Sequence, residues 1–585
     1  MAGQDGDRLL QVVSAQFGLK RGVFALWRLA GRPSTQMLKY FSHGFWALDQ
    51  CGIMEPEHSR IMNPEKSRLF AFLKFACALV GAAALTAHAA ELHIGLSADV
   101  TTFDPHFVAA QPNLTAQHHV FEALVRVDER GRPIPGLASW RTPDPLTWEF
   151  TLRKGIKFHD GGELTTEDVA FSLERPLTIT GSPGGYATYV RPIVAREIVD
   201  RYTIRLKTAA PYGAVPQDLS EVMIVSKKAA SHATSADFDS GKAAIGTGPY
   251  KLVRFSRGDR IELVRNDEYW GGRLPWDRVT LHILPSDPVR TAALLSGQLD
   301  AIEHVPTADL ARLRKNPAFR LEQAVSWRTI FLHVDQYRDH PPGVSAKSGG
   351  PLAKNPFRDI RVRRALSKAI NRQAIAERVM EGLALPAANV VSPSVFGHDP
   401  AVKPEPYDPQ GAKKLLAEAG YPEGFAVTLA TPNNRYVNDE QVAQAVAQMF
   451  SRIGIATKVE ALPISTYLGK ARNGEFGLAL LGWGSLAADL ALRSLAGTPN
   501  AGKGYGAWNW GGYTNPRLDQ LIEQALGTVD LGKREALARS ASALAAREVA
   551  FIPLHYQIVT WAMKKSLAYA ARTDEFTFAD HFHPR

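Results

Sequence analysis

Chemistry-bearing residues gather in the stretch LLGWGSLAAD, where Trp483 stands between Gly482 and Gly484 and an acid, Asp489, follows. A carboxylate on a glycine-rich loop can hold a ligand's ammonium group. An indole can form one flat wall of a pocket, and glycines allow a ligand to approach closely. Asp489 is also compatible with a turn or helix-cap role, and Trp483 with a place in the core. Both pairs of interpretations stay open.

A second group of candidates follows the strand-like segment FAVTLA, in TPNNRYVNDE. Ligand residues commonly lie at the carboxyl ends of strands in open α/β sheets, which makes Asn433, Arg435 and Tyr436 candidates. Arg435 can pair with a carboxylate through two parallel hydrogen bonds, although a solvated loop arginine is the alternative. Arg328, in SWRTIFLHV, is predicted to face a cleft.

Enzyme motifs are missing from the sequence. There is no G-x-S-x-G elbow, no H-E-x-x-H and no P-loop lysine motif, and GTGPYK lacks the third glycine of a dinucleotide loop. His159 and Asp160 are interpreted as turn residues closing a hairpin. The adjacent His118 and His119 do not face one metal ion. We therefore expect no catalytic residues, no metal site and no cofactor.

Strand-like and helix-like segments alternate along the chain, which predicts an α/β fold. Trp148 to Phe158 is predicted to form a hairpin that turns at Lys154 and Gly155. Thr165 and Asp168 have the spacing of a capping box at a helix start. Asp359 and Asp408 are predicted to cap two further helices. Residues 340–356, rich in Pro, Gly and Ser, predict an exposed loop between compact regions.

The composition is that of a soluble globular protein with several domains. The formal charge of +10 is scattered, and no basic block is dense enough to suggest nucleic-acid binding. The two cysteines, Cys51 and Cys77, precede the predicted mature start, so the mature chain would have neither disulfides nor thiolate chemistry.

The segment that opens at Met62 has the order of a secretory signal peptide. A basic start is followed by an apolar core too short to span a bilayer, and then by the small-x-small pattern Ala87-His88-Ala89. The residues before Cys77 make a poor lipobox, so no lipid anchor is expected, and an uncleaved N-terminal anchor is the alternative. Residues 1–61 are interpreted as lying upstream of the true start and 62–89 as the signal peptide.

Several blocks of the mature chain together resemble the family 5 extracellular solute-binding proteins of ABC importers, which include dipeptide-, oligopeptide-, glutathione- and nickel-binding proteins. The blocks keep the family's order and spacing. They are TTFDPHF at 101–107, GLASWRTPDPLTWEFTLRKGIKFHDGGELTTEDVAFSLER at 136–175, IGTGPYKL, NDEYWGG, FRDIRVRRALSKAINR and DPQGAKKLLAEAGYP.

This resemblance implies a two-lobed periplasmic-binding-protein fold of the class II type with an extra inserted domain. Lobe I would be discontinuous, from residues 90–122, 246–345 and 556–585. The extra domain would be 123–245 and lobe II 346–555. The lobes would close around a ligand by hinge motion.

The resemblance also allows the position of Asp489 to be compared with a ligand-binding aspartate of the family. In the peptide-binding members an aspartate three residues after the tryptophan, in W-x-x-D, holds the peptide's amino terminus. Here that position is Leu486, and the acid comes six residues after Trp483. Either a longer loop still delivers the carboxylate of Asp489, or the anchor is gone.

The sequence thus predicts a periplasmic substrate-binding subunit of an ABC importer that captures a peptide or peptide-like solute and delivers it to a membrane permease. A nickel or other metal chelate, an opine and a sugar are alternative ligands. A secreted hydrolase is the alternative function, and a chemoreceptor or chaperone role is a possible addition. We expect a monomer.

The leader yields a measurable expectation. The mature chain is predicted to begin at Ala90 or Glu91, because the basic, apolar and Ala-x-Ala segments end there. Intact-mass spectrometry of the exported protein checks this start. A mass that includes residues 1–61 would contradict it.

Overall fold

The computed structural model describes residues 90–128, 132–182, 185–500 and 502–585. The predicted leader and both cysteines lie outside them. The α-helices are α1 (Gln111–Gln117), α2 (Thr166–Thr178), α3 (Ala187–Val190), α4 (Val215–Ser220), α5 (Lys227–Ala230), α6 (Ser235–Asp239), α7 (Asp287–Leu295), α8 (Thr307–Lys315), α9 (Ile360–Ala369), α10 (Arg372–Ala374), α11 (Pro409–Glu418), α12 (Asp439–Ser451), α13 (Ile464–Arg472), α14 (Ala488–Leu495), α15 (Pro516–Leu526) and α16 (Leu531–Arg547).

The strands, in chain order, are β1 (Glu91–Leu96), β2 (Glu122–Ala123), β3 (Val125–Val127), β4 (Pro133–Pro135), β5 (Ala138–Asp144), β6 (Thr147–Leu152), β7 (Ile193–Ile198), β8 (Thr203–Thr208), β9 (Met223–Ile224), β10 (Tyr250–Ser256), β11 (Arg260–Arg265), β12 (Arg278–Ile283), β13 (Ala301–Glu303), β14 (Phe319–Val334), β15 (Val344–Ser345), β16 (Ala384–Pro386), β17 (Ala426–Pro432), β18 (Ala456–Leu462), β19 (Leu478–Trp483), β20 (Ile552–Lys564), β21 (Leu567–Ala568) and β22 (His583–Pro584).

One mixed sheet of 12 strands joins the two ends of the described chain. Its order is β10-β11-β12-β1-β13-β20-β14-β19-β17-β15, with β16 added on β20 and β18 on β17. β1 lies parallel to β12 and β13, and β17 lies parallel to β18 and β19, whereas β14 is antiparallel to both of its neighbours. The α/β fold class is confirmed.

The two longest strands, β14 and β20, run side by side at the centre of this sheet. Val325 pairs with Ile558 and Thr329 with Tyr556, so three residues of β14 stand opposite one residue of β20. Such a break in register bends a strand and re-aims its side chains. The three residues, Ser326, Trp327 and Arg328, are therefore released from regular pairing.

A separate antiparallel sheet has the order β5-β6-β8-β7. The predicted hairpin between Trp148 and Phe158 is wrong, because β6 pairs with β5 and β8 instead. Ile156 and Phe158 are buried without extending the sheet. The predicted turn at Lys154 and Gly155 is present, with Gly155 at a φ of +77°. A second tight turn follows around His159 and Asp160, where Gly161 has a φ of +86° and Lys157 bridges to Glu163. The turn interpretation of His159 and Asp160 is confirmed.

The predicted helix starts are confirmed by their cap hydrogen bonds. Thr165 and Asp168 form a reciprocal capping box at α2. Asp359 accepts from the backbone N–H of Arg361 at the start of α9, and Asp408 accepts from Gly411 at the start of α11. Each cap satisfies backbone N–H groups that have no partner within the helix.

The predicted domain boundaries stay a prediction. One hydrophobic cluster contains Phe150 and Leu206 of the predicted extra domain together with Leu92, Val279 and Trp561 of predicted lobe I. Two other clusters gather residues that lie mainly in predicted lobe II. No helix in the described part of the chain is long and apolar enough to cross a membrane.

Candidate functional site

The register break in β14 is held by a buried ion pair. Arg328 donates from Nη2 to Glu575 Oε2 at 2.7 Å and from Nε to Oε1 at 3.2 Å, and Ser326 Oγ donates to Oε1 at 2.6 Å. Burial alone would raise the pKa of Glu575, but the charge and hydrogen bonds of Arg328 hold it at about 2. Glu575 itself has a φ of +66°, a conformation that a glutamate adopts only when its surroundings fix it.

The Tyr436 ring is in contact with two guanidinium groups. The guanidinium carbon of Arg328 is 5.8 Å from the ring centroid, and that of Arg435 is 5.4 Å from it. The Tyr436 hydroxyl donates to the carbonyl of Gly482 at 3.1 Å. The backbone N–H groups of Arg435 and Tyr436 both donate to Asp439 Oδ2 at 3.0 Å, which fixes the loop after β17.

The Arg435 guanidinium has no hydrogen bond or ion pair with any side chain or carbonyl that the structure describes. Its backbone is held by Asp439, and its recorded ring contact is with Tyr436. Burial, and then the like charge of Arg328, lower the pKa of Arg435. A desolvated cation of this kind is stabilised by an anion that binds beside it.

The glycines beside Trp483 make room for protein side chains. A Cβ on Gly482 would lie 2.6 Å from the ring of Tyr436, and a Cβ on Gly484 would lie 2.6 Å from the indole nitrogen of Trp327. The expectation that these glycines let a ligand approach is corrected by this packing. Their small size lets Tyr436 and Trp327 pack against the end of β19.

Trp483 ends β19 and is half-buried. Its ring centroid is 5.1 Å from that of Trp508, which lies 5.2 Å from that of Trp510. The indole nitrogens of Trp483 and Trp327 are both buried without a hydrogen-bond partner among the described residues. Trp483 therefore packs against Trp508, while its indole N–H has no hydrogen-bond acceptor among the described residues.

Asp489 is fully buried and paired inside the protein. Arg534 donates from Nε to Asp489 Oδ2 at 2.8 Å and from Nη2 to Oδ1 at 3.2 Å, and both side chains have zero exposure. The same guanidinium donates to the carbonyl of Gly213 at 2.8 Å and to Gln217 Oε1 at 3.0 Å. Asp489 thus tethers α16 to α14 and to the start of α4, and its carboxylate already has a cation. The carboxylate also accepts from the backbone N–H of Leu490 at 3.0 Å in the first turn of α14, which agrees with a role at a helix start. The buried pair with Arg534 argues against a ligand-ammonium role.

A cleft opens beside the register break. Trp327 lines this cleft and also packs against Gly484, next to Trp483. The other lining residues are His118, Glu122, Ala123, Val125, Arg126, Val127, Ser220, Glu221, Pro249, Tyr269, Arg572, Phe576, Phe578 and Asp580. About half of the lining residues, counting Trp327, are apolar or aromatic, and the others are polar or charged. The cleft therefore offers both apolar walls and polar anchors to a ligand.

Several cleft residues are already satisfied by the protein. Glu122 accepts from Thr247, Tyr269 and Trp270 at 2.9–3.0 Å. Arg572 donates from Nε to both oxygens of Asp574. Burial, and then Arg572 and Arg126, lower the pKa of His118 to about 3, so its imidazole is neutral.

The structure brings together five of the predicted residues: Gly482, Trp483, Tyr436, Arg435 and Arg328. Asn433 is exposed, and Asp489 lies apart in its own ion pair. Sequence reasoning missed the cleft's aromatic wall, formed by Trp327, Phe576 and Phe578. The alternation of aromatic and charged residues in RTDEFTF near the C-terminus was the available signal.

Comparison with known proteins decides the family. Residues 132–496, more than half of the chain, match the bacterial extracellular solute-binding proteins, family 5. The chain belongs to this family. The resemblance inferred from the sequence blocks is thereby confirmed.

Two curated family 5 relatives bind different ligands. The chain is 28% identical over 493 residues to heme-binding protein A of Haemophilus influenzae, which covers 78% of this chain and 85% of the relative. It is 28% identical over 499 residues to the glutathione-binding protein GsiB of Salmonella choleraesuis, which covers 82% and 91%. Identity at this level supports a shared architecture while the bound ligands differ.

A solved family structure has the same fold. The periplasmic binding protein DppA of Helicobacter pylori, in complex with the peptide STSA, matches with a TM-score of 0.71 at 24% identity. The match covers 84% of this chain and 98% of that one. The two-lobed α/β fold expected for this family 5 chain is therefore confirmed.

The buried pair at Asp489 gives a stability prediction. Asp489→Asn is expected to lower the free energy of unfolding by about 3–5 kcal/mol, because it leaves the Arg534 guanidinium buried without a counter-charge. Urea unfolding at neutral pH measures the change. The matched control is Asp309→Asn, which removes a surface pair with Arg312 and should cost about 0–1 kcal/mol.

The same variant separates the two roles considered for Asp489. An Asp489→Asn protein of unchanged stability that loses affinity for free-amine ligands would restore the ammonium-anchor interpretation.

Proposed function

We propose that this protein is the periplasmic substrate-binding subunit of an ABC importer and not an enzyme. It captures a small solute, a di- or oligopeptide or a peptide-like compound, and delivers it to the permease in the inner membrane. Membership of family 5 supports the class of function. The two lobes close around the solute, and the closed form is favoured because the solute binds it better.

The observation that carries the ligand class is the state of Arg435. Its guanidinium is partly desolvated, lies over Tyr436, and has no anion among the described residues, while the neighbouring Arg328 is neutralised by Glu575. An anionic oxygen pair is the natural complement of a guanidinium. We therefore assign Arg435 the role of holding a carboxylate of the solute, as a peptide or peptide-like compound provides.

Trp483, Gly482 and Arg328 support that residue indirectly. The carbonyl oxygen of Gly482 accepts a hydrogen bond from the Tyr436 hydroxyl, and Trp483 is the next residue of the same strand. The Arg328 guanidinium also lies over the Tyr436 ring, with its carbon 5.8 Å from the centroid. In this proposal Trp483 is a platform beside the bound solute, and Asn433 lies at the edge of the site.

The first experiment identifies the solute. Mass spectrometry of the material released when purified protein is denatured is expected to find a compound with at least one carboxylate. The compound should raise the melting temperature of the protein without being consumed. A ligand at one hundred times its Kd stabilises the native state by about 2.7 kcal/mol. Turnover of the compound would support the secreted hydrolase instead.

The second experiment tests Arg435 with that compound and its carboxamide analogue. Arg435→Gln is expected to weaken the carboxylate compound by roughly 2–5 kcal/mol, the range for truncating one partner of a buried charge pair, and to affect the amide far less. Isothermal titration measures both.

The matched control is Arg452→Gln, on an exposed side chain of the same region, which should change neither affinity. Equal losses for the acid and the amide would remove Arg435 from the carboxylate role.

A further inference from the structure

A second unpaired charge lies in the cleft. Glu221 follows α4 and lines the cleft together with Ser220. The side chain is partly buried, and its carboxylate has neither a hydrogen bond nor an ion pair with any residue that the structure describes. By contrast the neighbouring Asp218 accepts from the hydroxyl of Tyr212 at 2.6 Å.

The groups around Glu221 do not neutralise it. From its own element Asp218 faces it, and from the C-terminal segment Asp574 does, so the nearest charges are of the same sign. Burial, followed by these two acids, raises the pKa of Glu221 to about 7. The remaining titratable groups around it, from α3 and its N-cap and from the other cleft walls, are Tyr186, Tyr189, His118, Glu122, Arg126, Tyr269, Arg572 and Asp580.

The two arginines among these groups are differently placed. Arg572 is buried and is engaged by Asp574. Arg126 is exposed on the rim of the cleft. Glu221 is therefore a partly buried carboxylate with neither a hydrogen bond nor a cation, whereas Glu122 is held by three hydrogen bonds. A carboxylate without a partner favours a cation that reaches it.

The walls beside Glu221 suit an organic cation. Trp327 and Phe576 meet edge to face with ring centroids 5.9 Å apart, and Phe576 and Phe578 lie 5.4 Å apart. Aromatic faces attract alkylammonium and guanidinium groups and also pack against the apolar atoms that carry them. A small hydrated inorganic cation would not use these walls.

We propose that Glu221 binds a cationic nitrogen of the solute, an ammonium or a guanidinium, with the aromatic wall holding the apolar atoms next to it. The inference rests on the proposed function and deepens it, because it gives the solute a cation in addition to the carboxylate at Arg435. Glu221 thus has the role of ammonium partner that the sequence suggested for Asp489.

The test uses three fragments with the same benzyl body: phenethylammonium, 3-phenylpropan-1-ol and 3-phenylpropionate. Binding to the purified protein is measured by ligand-observed nuclear magnetic resonance at pH 8. Phenethylammonium is expected to bind saturably and more tightly than the other two. Glu221→Gln should weaken it by about tenfold or more and leave the alcohol unchanged.

The matched control is Glu174→Gln, on an exposed side chain of α2, which should bind all three fragments as the wild type does. Glu221→Gln removes an unpaired carboxylate from a partly buried position, so its melting temperature should equal or exceed that of the wild type. A fall in affinity would then report the missing charge and not a damaged fold.

A pH series provides an independent readout. The pKa of Glu221 is raised to about 7, so its carboxyl group is mostly protonated below that pH. A cation that binds the ionised carboxylate must then displace this proton, which weakens its binding. The affinity of the wild type for phenethylammonium should rise about tenfold from pH 6 to pH 8, whereas that of Glu221→Gln should stay flat. The ammonium group of this fragment is fully protonated over that range.

Three outcomes would overturn the inference: no saturable binding of phenethylammonium, equal binding by wild type and Glu221→Gln, or equal binding of the alcohol and the ammonium. Tighter binding of 3-phenylpropionate would overturn it as well and assign the cleft to an anion at Arg126. These outcomes leave the importer role standing, because that role is tested by the co-purified solute and by Arg435.

Discussion

The ion pair between Arg328 and Glu575 is the constraint on which the site depends. It lies where β14 loses register with β20, and it closes that gap with three hydrogen bonds to one carboxylate. On one side the pair leaves the Arg328 guanidinium over Tyr436. On the other it fixes the chain on which Phe576 lines the cleft. One buried interaction thereby sets both walls of the candidate site.

The pair between Asp489 and Arg534 uses similar chemistry for a different purpose. Its guanidinium also bonds to Gly213 and Gln217, which precede and form α4, the helix that ends next to Glu221. Close approach is possible because residue 213 is a glycine, since a Cβ there would lie 2.1 Å from the carbonyl of Thr528. The acid that drew attention in the sequence therefore acts on the cleft at a distance, by positioning α4.

Local signals in the sequence were reliable where the physics is local. A helix cap is formed by a side chain and a backbone N–H two or three residues away, so Asp359 and Asp408 were sufficient to predict where their helices begin. The turn at Lys154 and Gly155 was predicted correctly. The hairpin around it was wrong, because an alternating pattern defines a strand and does not specify its partner. β6 takes β5 and β8, and nothing within its own segment specifies that choice.

The site shows the same division. Arg435 and Tyr436 were selected because strand ends are a general place for ligand residues, and Arg328 because its segment was predicted to face a cleft. The structure brings the three together. The partner of Asp489 is 45 residues away in the chain, and that of Arg328 is 247 residues away. Glu221 carried no signal, because what distinguishes it is the lack of a partner in three dimensions, which no sequence pattern encodes.

The distribution of paired and unpaired charges gives the final step. Three buried ion pairs are matched within the fold: Asp104 with Arg175, Glu575 with Arg328, and Asp489 with Arg534. Other buried charges, such as those of Arg363 and Arg372, are held by hydrogen bonds to carbonyl groups. Leaving a desolvated charge without a hydrogen bond or a counter-charge costs free energy, and the side-chain charges of Arg435 and Glu221 carry that cost at the candidate site. The two residues have opposite signs. A zwitterionic solute with an apolar body relieves both at once, whereas a simple anion or cation relieves one and leaves the other. In the roles proposed for Arg435 and Glu221, selectivity for such a solute comes from these two groups, without the W-x-x-D aspartate that this chain lacks.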